Sequence, residues 1–350
     1  MVYNATGCKK EVILMRSKSA LTIADIARLA NVSKSTVSRA LNDSPLIGQE
    51  TKERVRAIAQ EHNFCINAPA RQLSLKQSKT IAFVTHAYHN EFTVNDLFVL
   101  EIMSGVSHGL YANGYDMMVV YVNPRESRWA SQYLNSGRVD GFILMTSARK
   151  PQHIHELLEI GAPFIVWGVP PGDQNYCSVT GDNFNGGRLA AEYLIRSGRK
   201  RIAFLGGPAN ESEVQLRYAG YKAALQAAGM SIEPGLIAHG DYTIASGEAA
   251  MKQLLERSPD LDAVFVNSDL MAIAAMKAIR EKGRRIPDDI GVVGYDDLSI
   301  AELNNPPLTT IRQNIPQAGR LLAQNLIQQL QTGVLCSVTM PVELVVRASA

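Results

Sequence analysis

Within twenty-one residues the chain places Thr22, Ser33, Lys34, Ser35, Thr36, Ser38, Arg39 and Asn42, short or cationic polar side chains interleaved with a regular apolar set. Hydroxyl, amide and ammonium groups at this density hydrogen-bond phosphates, and a guanidinium can fork onto the two acceptors of a guanine edge. The apolar residues decide how those groups are presented. Ile23, Ile26, Ala27 and Ala30 follow the i, i+3, i+4, i+7 spacing of one helix face, and Val37 with Leu41 repeats the i, i+4 spacing after a break. In the break, Asn31 is one of the few non-glycine residues that accept a left-handed turn, and Ser33 can cap the second helix. The pattern predicts an all-α helix-turn-helix whose second helix enters a major groove by its start. Lys34 and Ser35 then face base edges, with Arg39 a turn further on and Ser38 in the same DNA-contacting set. Thr22, Ser33, Thr36 and Asn42 anchor phosphates and hold register without carrying sequence information. A solvated amphipathic helix pair is the plainer alternative.

Charge is distributed to match. The whole chain has a formal net charge of only +2, yet residues 1–75 carry eleven Lys and Arg against six Asp and Glu, and the remainder is net acidic. The basic end is the expected DNA end, with binding that weakens steeply as salt rises.

At 350 residues the chain exceeds one average domain, leaving room for two subdomains after a small head. No run of 18 apolar residues occurs and no secretory layout opens the chain, so the expected location is cytoplasmic, associated with the nucleoid, without a membrane partner. Residues 1–20 carry no clear pattern, and Met15 is an alternative start. Cys8, Cys65, Cys177 and Cys336 are scattered without metal-ligand spacing, which fits reduced thiols. His86, His89 and Glu91 read as a polar loop, and His153 and His155 as a solvent-facing helix start, so neither a metal nor any other cofactor is expected. Asp182-Asn183 with Gly186-Gly187 is the nearest approach to a phosphate loop. No strand-to-helix Gly-x-Gly-x-x-Gly, no Gly-x-x-x-x-Gly-Lys-Ser/Thr and no Gly-x-Ser-x-Gly turn accompanies it, which argues against an enzyme.

From Lys79 onward, β-rich apolar runs alternate with helical patterns, the mark of parallel sheets wrapped by helices. Strands are expected at 80–85, 116–122, 141–146 and 163–167, then at 201–206, 262–266 and 290–294. Helices are expected near 97–113, 183–198, 212–229, 246–257 and 269–282, with another at 316–331. Two such sets imply two lobes and a cleft. Open α/β sheets bind ligands beyond the carboxyl ends of their strands, which makes Asp96 and Trp167 candidates for ligand contact. Helix capping for Asp96 and core packing for Trp167 are equally open, and Arg149 could face either the cleft or solvent.

Residues 22–42 resemble the opening module of the lactose-repressor family. The likeness continues through Glu50–Phe64, its third headpiece helix, and Ala68–Leu75, its hinge helix. It implies that Leu73 wedges into the minor groove at the centre of a near-palindromic site, one copy from each protomer of a homodimer, unless Leu73 is an ordinary linker leucine. Ile66 stands where the family usually has proline, and Asn31 where it usually has glycine. Further on, Phe204–Pro208 with Arg217–Gly220, Gly240–Thr243, Asn267–Asp269, Gly294–Asp297 and Pro307–Ile311 stand in family order, as in the two-lobed, periplasmic-binding-protein-like effector domain. The resemblance assigns Arg217, Asp296, Tyr242 and Ser268 to a small effector. Arginine and carboxylate serve alternating hydroxyls while an aromatic covers a sugar's apolar face. Glu213 departs from the family's usual serine or threonine.

The implied organisation is an uncertain extension at 1–20, a headpiece at 21–66, a hinge and linker at 67–78, and an effector and dimerisation domain at 79–350. The implied function is a DNA-binding repressor controlled allosterically by a sugar inducer. A purine corepressor regulator and a sugar receptor without a regulatory role remain the alternatives.

Overall fold

The computed structural model describes residues 21–62, 64, 77–85, 97–122, 128–145, 151–170 and 176–350. Leu73 and Asp96 lie outside the described residues, as do His86, His89, Glu91, Arg149, Cys8 and Cys65. The chain forms two units, Met1–Lys76 and Gln77–Ala350. Ser78 already belongs to the second: its backbone N–H and its hydroxyl both donate to Asp140 Oδ1, at 2.6 and 2.9 Å.

In the first unit, α1 (Ile23–Leu29), α2 (Lys34–Leu41) and α3 (Gln49–Glu61) close on a small core of Ile26, Ala27, Ala30, Val37, Ala40 and Val55. Asn31 takes φ +53° in the turn between α1 and α2. Ser33 accepts from the Thr36 N–H at 3.0 Å and so satisfies one of the free amides that open α2.

The second unit holds two six-stranded sheets. The first lobe is ordered β11-β5-β4-β3-β1-β2, from β1 (Thr80–Thr85), β2 (Asp116–Tyr121), β3 (Gly141–Leu144), β4 (Phe164–Trp167), β5 (Cys177–Gly181) and β11 (Val338–Met340), all parallel. Around it lie α4 (Leu97–Tyr111), α5 (Trp129–Asn135), α6 (Pro151–Glu159) and α12 (Ile315–Thr332). The second lobe is ordered β12-β10-β9-β8-β6-β7, from β6 (Ile202–Gly206), β7 (Ile237–His239), β8 (Ala263–Val266), β9 (Gly291–Asp296), β10 (Thr309–Gln313) and β12 (Val342–Val345); only β12, on β10, is antiparallel. Its helices are α7 (Asn183–Arg196), α8 (Ser212–Ala227), α9 (Ile244–Arg257), α10 (Asp269–Glu281) and α11 (Ser299–Leu303).

The chain therefore crosses between lobes three times: from β5 into α7, from β10 into α12, and from β11 into β12. Helix α12, expected near 316–331, packs on the first lobe because Gly105, Gly109 and Gly319 bring its backbone against α4; a Cβ on Gly319 would overlap the Ile102 carbonyl. Strands β5, β7, β10, β11 and β12 and helices α5 and α11 are additions to the elements expected from sequence. One expectation fails here: His153 is 1 % exposed and not a solvent-facing residue. Its ring meets Trp129 edge-on at 5.7 Å, because α6 turns that side inward while His155 stays outside, 3.5 Å from Glu159.

Candidate functional site

The first candidate surface is the outward face of α2. Val37 and Ala40 are fully buried, which fixes the rotation of the helix and leaves Ser33, Lys34, Ser35, Arg39 and Asn42 exposed, with Thr36 and Ser38 half-buried at the margin. Three hydroxyls converge at its start: Ser33 Oγ lies 2.7 Å from Ser35 Oγ and 2.8 Å from Thr36 Oγ1. Among the described residues no ion pair engages Lys34 or Arg39, whereas Lys52 and Arg56 are drawn onto Asp43 at 3.1 and 2.7 Å. Lys52 and Arg56 lower the Asp43 carboxyl from its ordinary value and tie the loop after α2 to α3. Thr22 is exposed as well, and its hydroxyl donates to Asp25 Oδ2 at 2.7 Å at the head of α1.

The second candidate lies between the two lobes of the second unit, where strand ends converge on a cavity of about 730 Å³ including its mouth. Phe98 and Val99 of α4, Met145 after β3 and Trp167 at the end of β4 line it from the first lobe. From the second come Glu211, Glu213 and Arg217 around the start of α8, Tyr242 after β7, Asn267, Ser268 and Leu270 after β8, Asp296 and Leu298 after β9, and Gln313 at the end of β10. Of the residues proposed from sequence, Trp167, Arg217, Tyr242, Ser268 and Asp296 meet here.

Arg217 is held by neighbours that sequence spacing alone does not reveal. Its Nε donates to Asn183 Oδ1 at 2.8 Å, its Nη1 to the Asn267 carbonyl at 2.6 Å, and its guanidinium stacks 3.7 Å above the Tyr295 ring. Such close approach of α7 and α8 requires glycine: a Cβ on Gly187 would overlap the Arg217 carbonyl, and one on Gly220 the Phe184 carbonyl. Gly186-Gly187 therefore serves helix packing, which explains why it matches no phosphate loop.

Asp296 and Asp297 sit at φ +119° and +59°, a backbone shape that non-glycine residues adopt at a cost of about 1–3 kcal/mol and that clusters at ligand sites. Their partners fix it. Gln313 Nε2 donates to Asp296 Oδ1 at 2.8 Å, and Arg312 and Arg347 reach Asp297 at 2.6 and 2.7 Å. Beneath them the fully buried Asp269 accepts from the Leu298 N–H at 2.8 Å and the Thr310 hydroxyl at 2.6 Å; burial, then the charge of Asp296, pushes its carboxyl well up. Ser268 lines the cavity and also caps α10, accepting from the Met271 N–H at 3.3 Å.

Sequence reasoning missed Asn267, Gln313, Glu211 and Phe98 as lining residues. Asn267 stands directly after β8, where the strand-end rule applies; it is 0 % exposed, and among the described residues neither its Oδ1 nor its Nδ2 has a hydrogen-bond partner. An unmet donor and acceptor at a cavity wall suit a polar ligand. Gln313 was hidden because β10, Thr-Thr-Ile-Arg-Gln, is too polar to read as a buried strand. Glu213, the departure from family pattern, spans the cleft: its Oε1 accepts the Val169 N–H of the first lobe at 2.7 Å. Among the described residues no group of three or more His, Cys, Asp or Glu side chains could hold a metal ion, and no helix is long and apolar enough to cross a membrane.

Comparison with known proteins places both regions. Residues 22–67 match the model of bacterial regulatory proteins of the lacI family, and residues 191–350 that of a periplasmic binding protein-like domain. The chain is 37 % identical to the HTH-type transcriptional regulator CelR of Thermobifida fusca over 93 % of its own length and 95 % of the relative's. It is 33 % identical to the ribose operon repressor of Escherichia coli strain K12 over 88 % of this chain and 93 % of that one. Among solved structures, a complex of the regulator CelR with cellobiose superposes with TM-score 0.73 at 34 % identity, covering 94 % of this chain and all of the other. The lac repressor dimer bound to operator and the anti-inducer ONPF gives 0.80 at 30 %, covering 94 % and 98 %.

Proposed function

The chain belongs to the lacI family of bacterial regulatory proteins, and from that premise we propose that it is a sequence-specific transcriptional repressor whose hold on operator DNA is governed by a sugar in the cleft. One observation carries the sugar reading. Arg217 and Asp296, fork donor and strained acceptor, line the same cavity as the aromatic faces of Trp167 and Tyr242. Alternating hydroxyls call for the first pair, and the apolar face of a pyranose or furanose ring for the second. CelR in its cellobiose complex and the ribose operon repressor carry sugars in their names, which supports the same class here.

In this reading residues 21–66 form the reading head, 67–78 the hinge and 79–350 the effector and dimerisation domain. Lys34, Ser35, Ser38 and Arg39 read base edges, Thr22, Ser33, Thr36 and Asn42 take phosphates, and Leu73 of each protomer wedges the centre of a near-palindromic site. Asp96, Trp167, Arg217, Tyr242, Ser268 and Asp296 hold the effector. The chain works as a homodimer on the nucleoid and binds its sugar without turning it over. A sugar that prefers one arrangement of the lobes changes the docking of the paired hinges, and a coupling of about 1–3 kcal/mol alters operator affinity roughly 5–150-fold.

Selection of binding sites from random duplexes at ~0.15 M salt, alone and with cellobiose, ribose or hypoxanthine, tests the reading. A near-palindrome should be enriched without additive and released by a sugar. Tightening by hypoxanthine would replace the inducer with a purine corepressor, and absence of sequence preference under every condition would overturn the repressor.

A further inference from the structure

Two thiols that stand 159 positions apart in the sequence meet at the edge of the first lobe. The Cys336 backbone N–H donates to Cys177 Sγ at 3.0 Å. Strand β11 runs parallel to β5 with Val338 opposite Val179, so the register carried back sets Ser337 beside Ser178 and Cys336 beside Cys177. Contacts support the extension: the Ser178 N–H donates to Ser337 Oγ at 3.1 Å, and the two hydroxyls are 3.4 Å apart. The contact of the Cys336 N–H with Cys177 Sγ thus sets the two cysteines side by side where the chain enters β11. Neighbouring strands lie about 5 Å apart, inside the ~4.4–6.8 Å between Cα atoms that a disulfide spans. Both are free thiols here.

Their surroundings divide the labour. Cys336 is partly exposed, in the irregular segment between α12 and β11, while Cys177 is fully buried in β5. Burial raises the Cys177 thiol above its ordinary value. The accessible sulfur meets an oxidant first, and the buried one waits beside it as resolving thiol.

We propose that Cys177 and Cys336 are a reversible oxidation site at which a peroxide forms a disulfide joining β5 to β11. The Cys336 thiolate attacks one peroxide oxygen and breaks the O–O bond, leaving a sulfenic acid and one water. The Cys177 thiolate then attacks that sulfenic sulfur and expels hydroxide, which leaves as a second water. Two thiols lose two electrons in all, the peroxide gains them, and a dithiol reverses the step by exchange. The site lies at the starts of the two strands that carry the chain between lobes at their far ends: β5 runs on into α7 and β11 into β12, and the Asp182 N–H donates to the Met340 carbonyl at 2.9 Å where they part. A bond there cross-links the two strands that lead into two of the three connections between lobes, so oxidation state becomes an input separate from the effector.

The full-length protein, reduced, desalted and treated with a few molar equivalents of hydrogen peroxide, tests this by tryptic mass spectrometry without reductant and by thiol titration in denaturant. The expected result is a linked pair of peptides carrying Cys177 and Cys336, with two of the four thiols lost and recovered by dithiothreitol. Cys336→Ser should abolish the linked pair. The double variant Cys8→Ser, Cys65→Ser leaves the site untouched and should form the link as the wild type does. Persistence of all four thiols, links made only through Cys8 or Cys65, or over-oxidised Cys336 without a linked partner would each overturn the proposal.

Discussion

The outer face of α2 and the cleft of the second unit are the two candidate binding surfaces, and they are built in opposite ways. On α2, the run from its cap Ser33 to Asn42 carries nearly the whole arrangement, rotated into place by the burial of Val37 and Ala40. In the cleft, Trp167, Arg217, Tyr242, Asp296 and Gln313 come from the ends of different strands and the start of a helix, and each is held by residues distant in sequence. A helix face can change one contact at a time. A convergence of strand ends ties ligand contact to the stability of the lobe that makes it. Substitutions in the two regions should therefore differ in kind.

The largest effect is expected for Arg217→Ala. It removes two hydrogen bonds from a charged donor, each worth about 1.5–3 kcal/mol, and takes that donor from the buried Asn183 Oδ1 and Asn267 carbonyl. Urea unfolding should show a loss of about 3 kcal/mol or more together with loss of the sugar response; loss of response at unchanged stability would mean that contact and scaffold are separable after all. Gly220→Ala touches no ligand yet pushes α7 off α8, and should cost about 1–3 kcal/mol while weakening sugar binding through Arg217. On α2 the pattern should reverse: Arg39→Ala is expected to cost about 1–3 kcal/mol of operator affinity and relax preference at one base pair, with the melting temperature unchanged. A uniform loss across all sequences would make Arg39 a phosphate clamp. Smallest is Ser33→Ala, which deletes the cap of α2 and should cost about 1 kcal/mol of headpiece stability, read by the melting of residues 21–66.

The same contrast explains what the sequence made legible. The turn at Asn31, the cap at Ser33 and both apolar stripes are local, and each was readable from neighbours a few positions away. The long strands and helices of the second unit were readable from their period. What escaped was either short or polar inside: β7 and β11 have three residues each, and β5 and β10 bury Ser178, Thr180, Thr309 and Thr310 where a sequence pattern expects apolar side chains. Those threonines and serines are tolerable because partners arrive from elsewhere, as Asp269 does for Thr310. Among cleft residues, Trp167 was found at the end of a strand that was read, Asp296 and Tyr242 came from the family resemblance, and Gln313 was lost with β10. His153 was misplaced because one turn of α6 faces Trp129, a residue twenty-four positions away. Cys177 and Cys336 looked scattered because only the pairing of β11 with β5 brings them together.

The central claim, that the cleft and the reading head share one equilibrium, is tested most directly by reciprocity. Titration of the sugar that releases the operator, onto the free dimer and onto the dimer already bound to operator, should give affinities that differ by the factor by which that sugar weakens operator binding, roughly 5–150-fold. Equal affinities in the two titrations would contradict it.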